Sequence, residues 1–179
     1  MRCHTPELTL TLMGSLSEFI NRMVEVQLED ARGMVNVHSK FSFGPPGSGS
    51  IPLETQERIK QTTGVQKVIP WVVTALGGIG GTEEQGTFSG LVGFPPEDTA
   101  ERFRNMELES GSYLTAGDSN AILVGHALAL KYGLEAGDVA NFRGENFRVK
   151  GIFKPYEGLF INGSVIAPLD TVRRLAMLN

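Results

Sequence analysis

The sequence predicts an α+β fold, a two-lobed domain in which a larger βαβ-like lobe carries a smaller inserted α/β hairpin lobe. Three observations carry this reading. Residues 15–32 set apolar side chains at helical spacing. Residues 120–153 read in succession as strand, short helix, tight turn and hairpin. Elsewhere short strand-like and helix-like runs alternate, and 22 glycines in 179 residues mark frequent turns. A chain of this length buries about 70% of its unfolded surface, enough for a core without staples. The 41% hydrophobic and 20% charged content is that of an ordinary globular chain.

In chain order, residues 8–13 are an apolar, Thr-rich opening. From 15 to 32, Leu16, Phe19, Ile20, Met23 and Val26 or Gln27 follow the 3.6-residue period. Ser15 is placed to cap with Glu18 three residues on, and Gly33 stops the helix. Such a helix is either packed on a surface or a stalk. Residues 34–43 alternate as a strand, with Val35 and Val37 on one face and Asn36 and His38 on the other. GPPGSGS at 44–50 is a loop. Residues 53–62 form a short polar helix, with Pro52 near its start and Gly64 past its end. Residues 65–76 hold a strand in which Pro70 demands an edge position or a bulge. Residues 85–94 are a strand bearing Phe88, Leu91 and Val92. Pro95-Pro96-Glu97-Asp98 then starts a short helix with acids in its first turn. Residues 107–115 lead on through Ser110-Gly111.

The most legible stretch follows. Residues 120–124 are a compact apolar strand closed by Gly125, and residues 127–132 a helical turn or two bearing Leu128 and Leu130. Gly133 stands where a helix ends in the left-handed conformation, so Leu134 folds back to the level of Leu128 and Ala129. Gly137-Asp138 is a turn. Val139, Asn141 and Arg143 then alternate against Ala140 and Phe142, Gly144-Glu145 reverses the chain, and Phe147, Val149, Gly151 and Phe153 alternate again. Residues 154–163 are a loop and 164–167 a strand. Pro168 starts a last helix with Leu169, Val172, Leu175 and Ala176 on one side. The larger lobe takes residues 34–110 and 159–179, the smaller one 111–158, and residues 15–33 stand apart as a stalk-like helix.

Sixteen basic against twenty acidic residues give a net charge of -4. The tight basic pair Arg173-Arg174 sits near a helix end, where cations suit the dipole. A nucleic-acid surface needs a basic stripe, so no nucleic-acid partner is expected. Cys3 is the single cysteine, which rules out an intrachain disulfide and a thiolate metal cluster. His4, His38 and His126 show no i, i+4 spacing, and no metal site is expected. GGIGG at 77–81 lacks the Lys-Ser/Thr of a phosphate loop, and Ser89-Gly90 and Ser112 have no nucleophile-elbow context. Glu83-Glu84 and Glu97-Asp98 are explained by solvation. No catalytic residue and no cofactor site emerge, so the chain is expected not to be an enzyme. Residues 1–12 lack the basic and apolar blocks of a cleavable signal, and residues 68–81 are too short and broken to span a bilayer. What remains is an aromatic and apolar patch beside Pro/Gly-rich segments, made by Phe41, Phe43, Trp71 and Ile79. It is the expected partner-binding surface, since Trp is enriched at binding hot spots; the plainer role for Trp71 is to cap the core.

AILVGHALALKYGLEAGDVANFRGENFRVKGIF at 121–153, followed by VIAPLDTVRRL, resembles the periplasmic core domain of MacB/FtsX/LolC-type ABC transporter permeases. LVGFPPEDTAERF at 91–103 resembles that family's strand ending in a Pro turn. The likeness covers most of residues 86–178, with a weaker echo at 15–40, and rests on Gly and apolar positions. It implies an extracytoplasmic, periplasmic or outer-face, non-catalytic domain of a membrane protein in transport, efflux or mechanotransmission. The lobe of residues 34–110 and 159–179 would then be porter-like, and the helix at 15–33 a stalk. It also implies three kinds of partner: an ABC ATPase domain or subunit that burns the ATP, a second permease in a dimer, and a periplasmic adaptor or cargo. Membrane spans would lie before Met1 and after Asn179. The family's cargoes include lipoproteins, peptides and small drugs, and some members regulate cell-wall hydrolases; no residue selects among them. The alternative is a stand-alone soluble module that binds a small ligand or a peptide.

Overall fold

A computed structural model describes residues 5–30, 32–39, 51–76, 89–157 and 161–177. The chain divides into two compact units, residues 1–36 with 157–159 and residues 37–156 with 160–179. The first is dominated by helix α1 (Thr5–Asp30). It begins ten residues before the Ser15 cap that the sequence pattern picks out, so Ser15 lies inside the helix. Gly33, at φ +80, ends the helical stretch as expected. Leu16, Phe19, Ile20, Val24 and Leu28 stay between 45% and 66% exposed, which leaves an apolar stripe on the helix open.

The strand expected at 34–43 is not formed over residues 34–39, which join no ladder; residues 40–43 lie outside the described ones. Val35 is 88% exposed. Alternation gives a strand only where a neighbouring strand supplies hydrogen bonds and side-chain cover, and none among the described residues does so here.

Among the described residues the second unit is built on one seven-stranded mixed sheet. Helix α2 (Leu53–Lys60) precedes it, after Pro52 as expected. The strands are β1 (Val72–Ala75), β2 (Gly90–Phe94), β3 (Leu108–Gly111), β4 (Ala121–Val124), β5 (Val139–Phe142), β6 (Glu145–Phe153) and β7 (Ser164–Pro168). Their order is β1-β2-β7-β4-β6-β3, with β5 also on β6. A 3-10 turn at Pro96–Asp98 leads into α3 (Thr99–Arg102); α4 (His126–Tyr132) follows β4, and α5 (Leu169–Leu175) follows β7. Pro70 falls just before β1, an edge strand, which meets its missing N–H donor.

The α+β class thus holds, as a mixed sheet with helices. The strands assigned to the larger and the inserted lobe are hydrogen-bonded into this one sheet. β4 pairs antiparallel with β7 and parallel with β6, and β3 pairs with β6, so the expected boundary at 110/111 falls within a continuous ladder.

Burial explains the order. β2, β4 and β7 are buried along their whole length, as continuous apolar runs in the sheet's interior are. β5 and the first half of β6 alternate, with Ala140, Phe142, Phe147 and Val149 inward. One core cluster unites Leu91, Ile122, Val124, Phe142, Phe147, Val149 and Val165 with Leu128 of α4 and Val172 of α5. The other unites Val92, Phe94, Leu123, Phe153 and Ile166 with Phe103, Met106 and Leu114. Successive residues of β2, such as Leu91 and Val92, fall in different clusters, so both sheet faces are covered. α5 comes so close to β2 that a Cβ at Gly93 would lie 2.9 Å from Val172 Cβ.

Gly133 is left-handed at φ +61, and Leu134 N donates to Ala129 O at 2.9 Å, which closes α4 as the sequence implied. The β5–β6 reversal lies one residue earlier than expected. Phe142 pairs with Glu145, and Arg143 (φ +51) and Gly144 (φ +79) form the two-residue turn with both central residues left-handed.

Candidate functional site

Of the four residues expected to bind a partner, Phe41, Phe43 and Ile79 lie outside the described residues, as does the GGIGG run. Trp71 immediately precedes edge strand β1 and is 36% exposed. Its ring stacks on Phe94, with centroids 6.2 Å apart and planes 11° from parallel. Phe94 meets Phe103 edge-on at 5.3 Å, Phe103 meets Phe153 at 5.3 Å, and Phe153 meets Tyr113 at 6.4 Å. The Arg102 guanidinium sits 5.8 Å and 5.6 Å from the centroids of Phe94 and Phe103. Trp71 therefore rests on the buried Phe94 ring and leaves its outer part to solvent.

Charged groups lie near this ladder in sequence. Lys67 Nζ bonds Asp98 Oδ1 at 2.6 Å and Glu101 Oε2 at 2.7 Å. Hydrogen bonds to Asp98 and then Glu101 hold the Lys67 ammonium well above its ordinary value. The Asp98 side chain is largely buried, and this ion pair supplies its charge partner.

A second knot lies between β3 and β4. Asp118 Oδ2 accepts from Thr115 N at 2.6 Å, from Thr115 Oγ1 at 2.9 Å and from the Lys150 ammonium. Desolvation pushes the Asp118 carboxyl up, but the bonds from Lys150 and Thr115 outweigh it and leave the group below its ordinary value. A depressed folded-state value means that the carboxylate stabilises the fold above its unfolded value near 3.8, and that this contribution is lost as pH falls through the folded value. Asp118→Asn is expected to cost about 1–2 kcal/mol at pH 7. The difference from the native chain should shrink in urea melts as pH falls from the unfolded value of 3.8 through the lower folded one. A constant difference from pH 7 to pH 2 would contradict the assignment.

His126 Nδ1 lies 2.9 Å from Glu109 Oε2, and His38 is exposed; His4, Cys3 and Glu83-Glu84 lie outside the described residues. Among the described residues no three His, Cys, Asp or Glu side chains converge as metal ligands. Open, shallow shelves lie on α2, around Arg58 and Ile59, and on α1, around Glu18 and Arg22.

A profile of the MacB-like periplasmic core domain matches residues 8–178. The fold is similar to the periplasmic region of MacB from Actinobacillus actinomycetemcomitans, at 18% identity and a TM-score of 0.51, over 70% of this chain and 58% of that one. It is also similar to the extracellular domain of the noncanonical ABC-type transporter YknZ from Gram-positive bacteria, at 19% identity and a TM-score of 0.52, over 73% of this chain and 67% of that one. The chain thus spans under two thirds of the MacB region, and at these identities the structural likeness concerns the fold. No curated protein matches the sequence.

Proposed function

Since the chain belongs to the MacB-like periplasmic core domain family, we propose that it is the extracytoplasmic part of an ABC transporter permease and does no chemistry of its own. The profile match along residues 8–178 carries this reading. ATP is hydrolysed by a separate cytoplasmic ATPase domain or subunit, and membrane spans outside residues 1–179 anchor the chain. The permease works as a dimer. Displacement reaches the head through α1, and two states of the head differ in affinity for an extracytoplasmic adaptor or cargo. α1 suits a stalk, because 26 helical residues reach about 39 Å and its open apolar stripe calls for cover by another helix. No described helix is long and apolar enough to cross a membrane.

Cys3 is the only cysteine of residues 1–179, and Val139 is 64% exposed. The full gene product carrying Val139→Cys, with Cys3 and every cysteine outside residues 1–179 replaced by serine, is expected in the membrane fraction, labelled in spheroplasts by an impermeant maleimide. Recovery in the soluble fraction, or labelling only after lysis, would refute the topology. Trp71, with Phe41, Phe43 and Ile79, is the proposed partner contact. Trp71→Ala should weaken capture of the extracytoplasmic partner by about 30-fold or more, as loss of a hot spot does. Trp71→Phe, which keeps a ring on Phe94, should retain most of it. Equal capture by all three chains would remove Trp71 from the interface.

A further inference from the structure

Among the described residues two non-glycines adopt a left-handed backbone, Arg143 (φ +51) and Met177 (φ +55). Both belong to one junction. The turn position of Arg143 favours Asn or Gly, so an arginine there is held against its own preference. Its guanidinium explains what it does. Nη1 donates to Leu175 O, at the end of α5, at 2.7 Å, and Nη2 donates to Ala75 O at 2.5 Å and Thr74 Oγ1 at 3.4 Å, at the end of β1. On the far side of the same turn, Glu145 takes a two-pronged bond from Arg174, one prong at 2.8 Å. The hairpin tip therefore grips the last turn of α5 by a carbonyl and by a side chain.

The carbonyl it holds is informative. In a continuing α-helix, Leu175 O would accept from the amide four residues on. Here Arg143 occupies it, the helix closes with Ala176 N on Val172 O and Met177 N on Arg174 O, and Met177 turns left-handed without the glycine that such an ending favours. We propose that Arg143 is a latch that fixes where α5 ends and ties that end to β1, and that releasing it lets Met177 turn helical. The junction has two arrangements, which differ in whether Arg143 caps the Leu175 carbonyl. In the latched one the tip of β5–β6, the end of β1 and the last turn of α5 move together; in the released one Met177 takes a helical backbone and β1 loses the cation on the Ala75 carbonyl. The latch stands without the transport reading, since it concerns contacts inside the second unit alone.

Backbone NMR and amide exchange on the 179-residue chain test it. Arg143→Ala should move the Met177 carbon shifts from left-handed toward helical, and speed exchange in β1 about tenfold while Val124 and Val149 in the central strands keep their protection. Arg143→Ala with Met177→Gly should restore the left-handed ending. Glu145→Gln, which keeps Arg143, should raise exchange about threefold in the last turn of α5 alone. Unchanged Met177 shifts in Arg143→Ala overturn the proposal. So does a uniform loss of protection reaching Val124 and Val149, because Arg143 would then support the whole sheet and not one joint.

Discussion

Replacing Phe147 with alanine is expected to lower the unfolding free energy by about 3–5 kcal/mol, the range for deleting a large buried aromatic. Phe147 is fully buried in β6, and its ring stacks on Phe142 of β5 with centroids 4.1 Å apart and planes 17° from parallel. The two rings lie in the core cluster with Ala140, Val149 and Leu128, so truncation removes contacts to both strands and opens a void beneath α4. The surroundings cannot easily close it. Phe142 is pinned in register by the Phe142–Glu145 pair, and α4 by the Leu134 N bond to Ala129 O. For a domain of this size the loss corresponds to a fall in Tm of about 6–20 °C. Asn141→Ala, on the outward face of the same strand, should stay within about 0.5 kcal/mol and serves as the control. A loss below about 1 kcal/mol for Phe147→Ala would mean that the hairpin does not close this core.

The inward side of that hairpin was legible because half-buried strands write their faces into the sequence with period two. Val139 and Asn141 point out, Ala140 and Phe142 in, as the spacing implied. Periodicity failed where burial did not alternate. β3, Leu-Glu-Ser-Gly, is mostly exposed and carries almost no apolar signal, so it went unseen although it pairs with β6. The opposite failure was residues 34–39, where good alternation found no neighbouring strand. Strand order was out of reach for another reason. Seating β4 between β6 and β7 takes contacts from distant segments, which no local stretch displays. The candidate site shows the same limit. Trp71 could be singled out by residue type, but its stack on Phe94, 23 positions away, could not. By sequence Arg143 is only a member of the run that alternates with Ala140 and Phe142, whereas its carbonyl partners lie 32 and 68 positions away.

Gly125→Ala is the smallest substitution with a large expected effect, because it adds one methyl group where backbone already stands. A Cβ at Gly125 would lie 1.9 Å from Ile161 O and 2.5 Å from Asn162 O, distances that no rotamer relieves. The conformation itself is not at issue, since φ -69 and ψ 146 suit any residue. The segment at 161–163 would have to withdraw, and it is tied on several sides. Gly125 N donates to Ser164 O at 2.9 Å, Leu128 N to Asn162 O at 3.2 Å, and the Asn162 amide bonds the backbone of Tyr156 through both its oxygen and its nitrogen. Withdrawal breaks the bond that serves an otherwise open amide in the first turn of α4, and pulls on β7 where Val165 pairs with Val124. Overpacking commonly costs 1–3 kcal/mol, and a backbone clash in a tied loop belongs at the top of that range, so about 3 kcal/mol is expected here. Chemical denaturation gives the total, and amide exchange at Leu128 should rise before that of Ile122, which lies deeper in β4. Asn162→Ala should bring the two costs below their sum in the double mutant, because the loop it frees can move off the new methyl group. Strict additivity would mean that loop and glycine do not press on each other, and the close crossing above β4 would then be wrong.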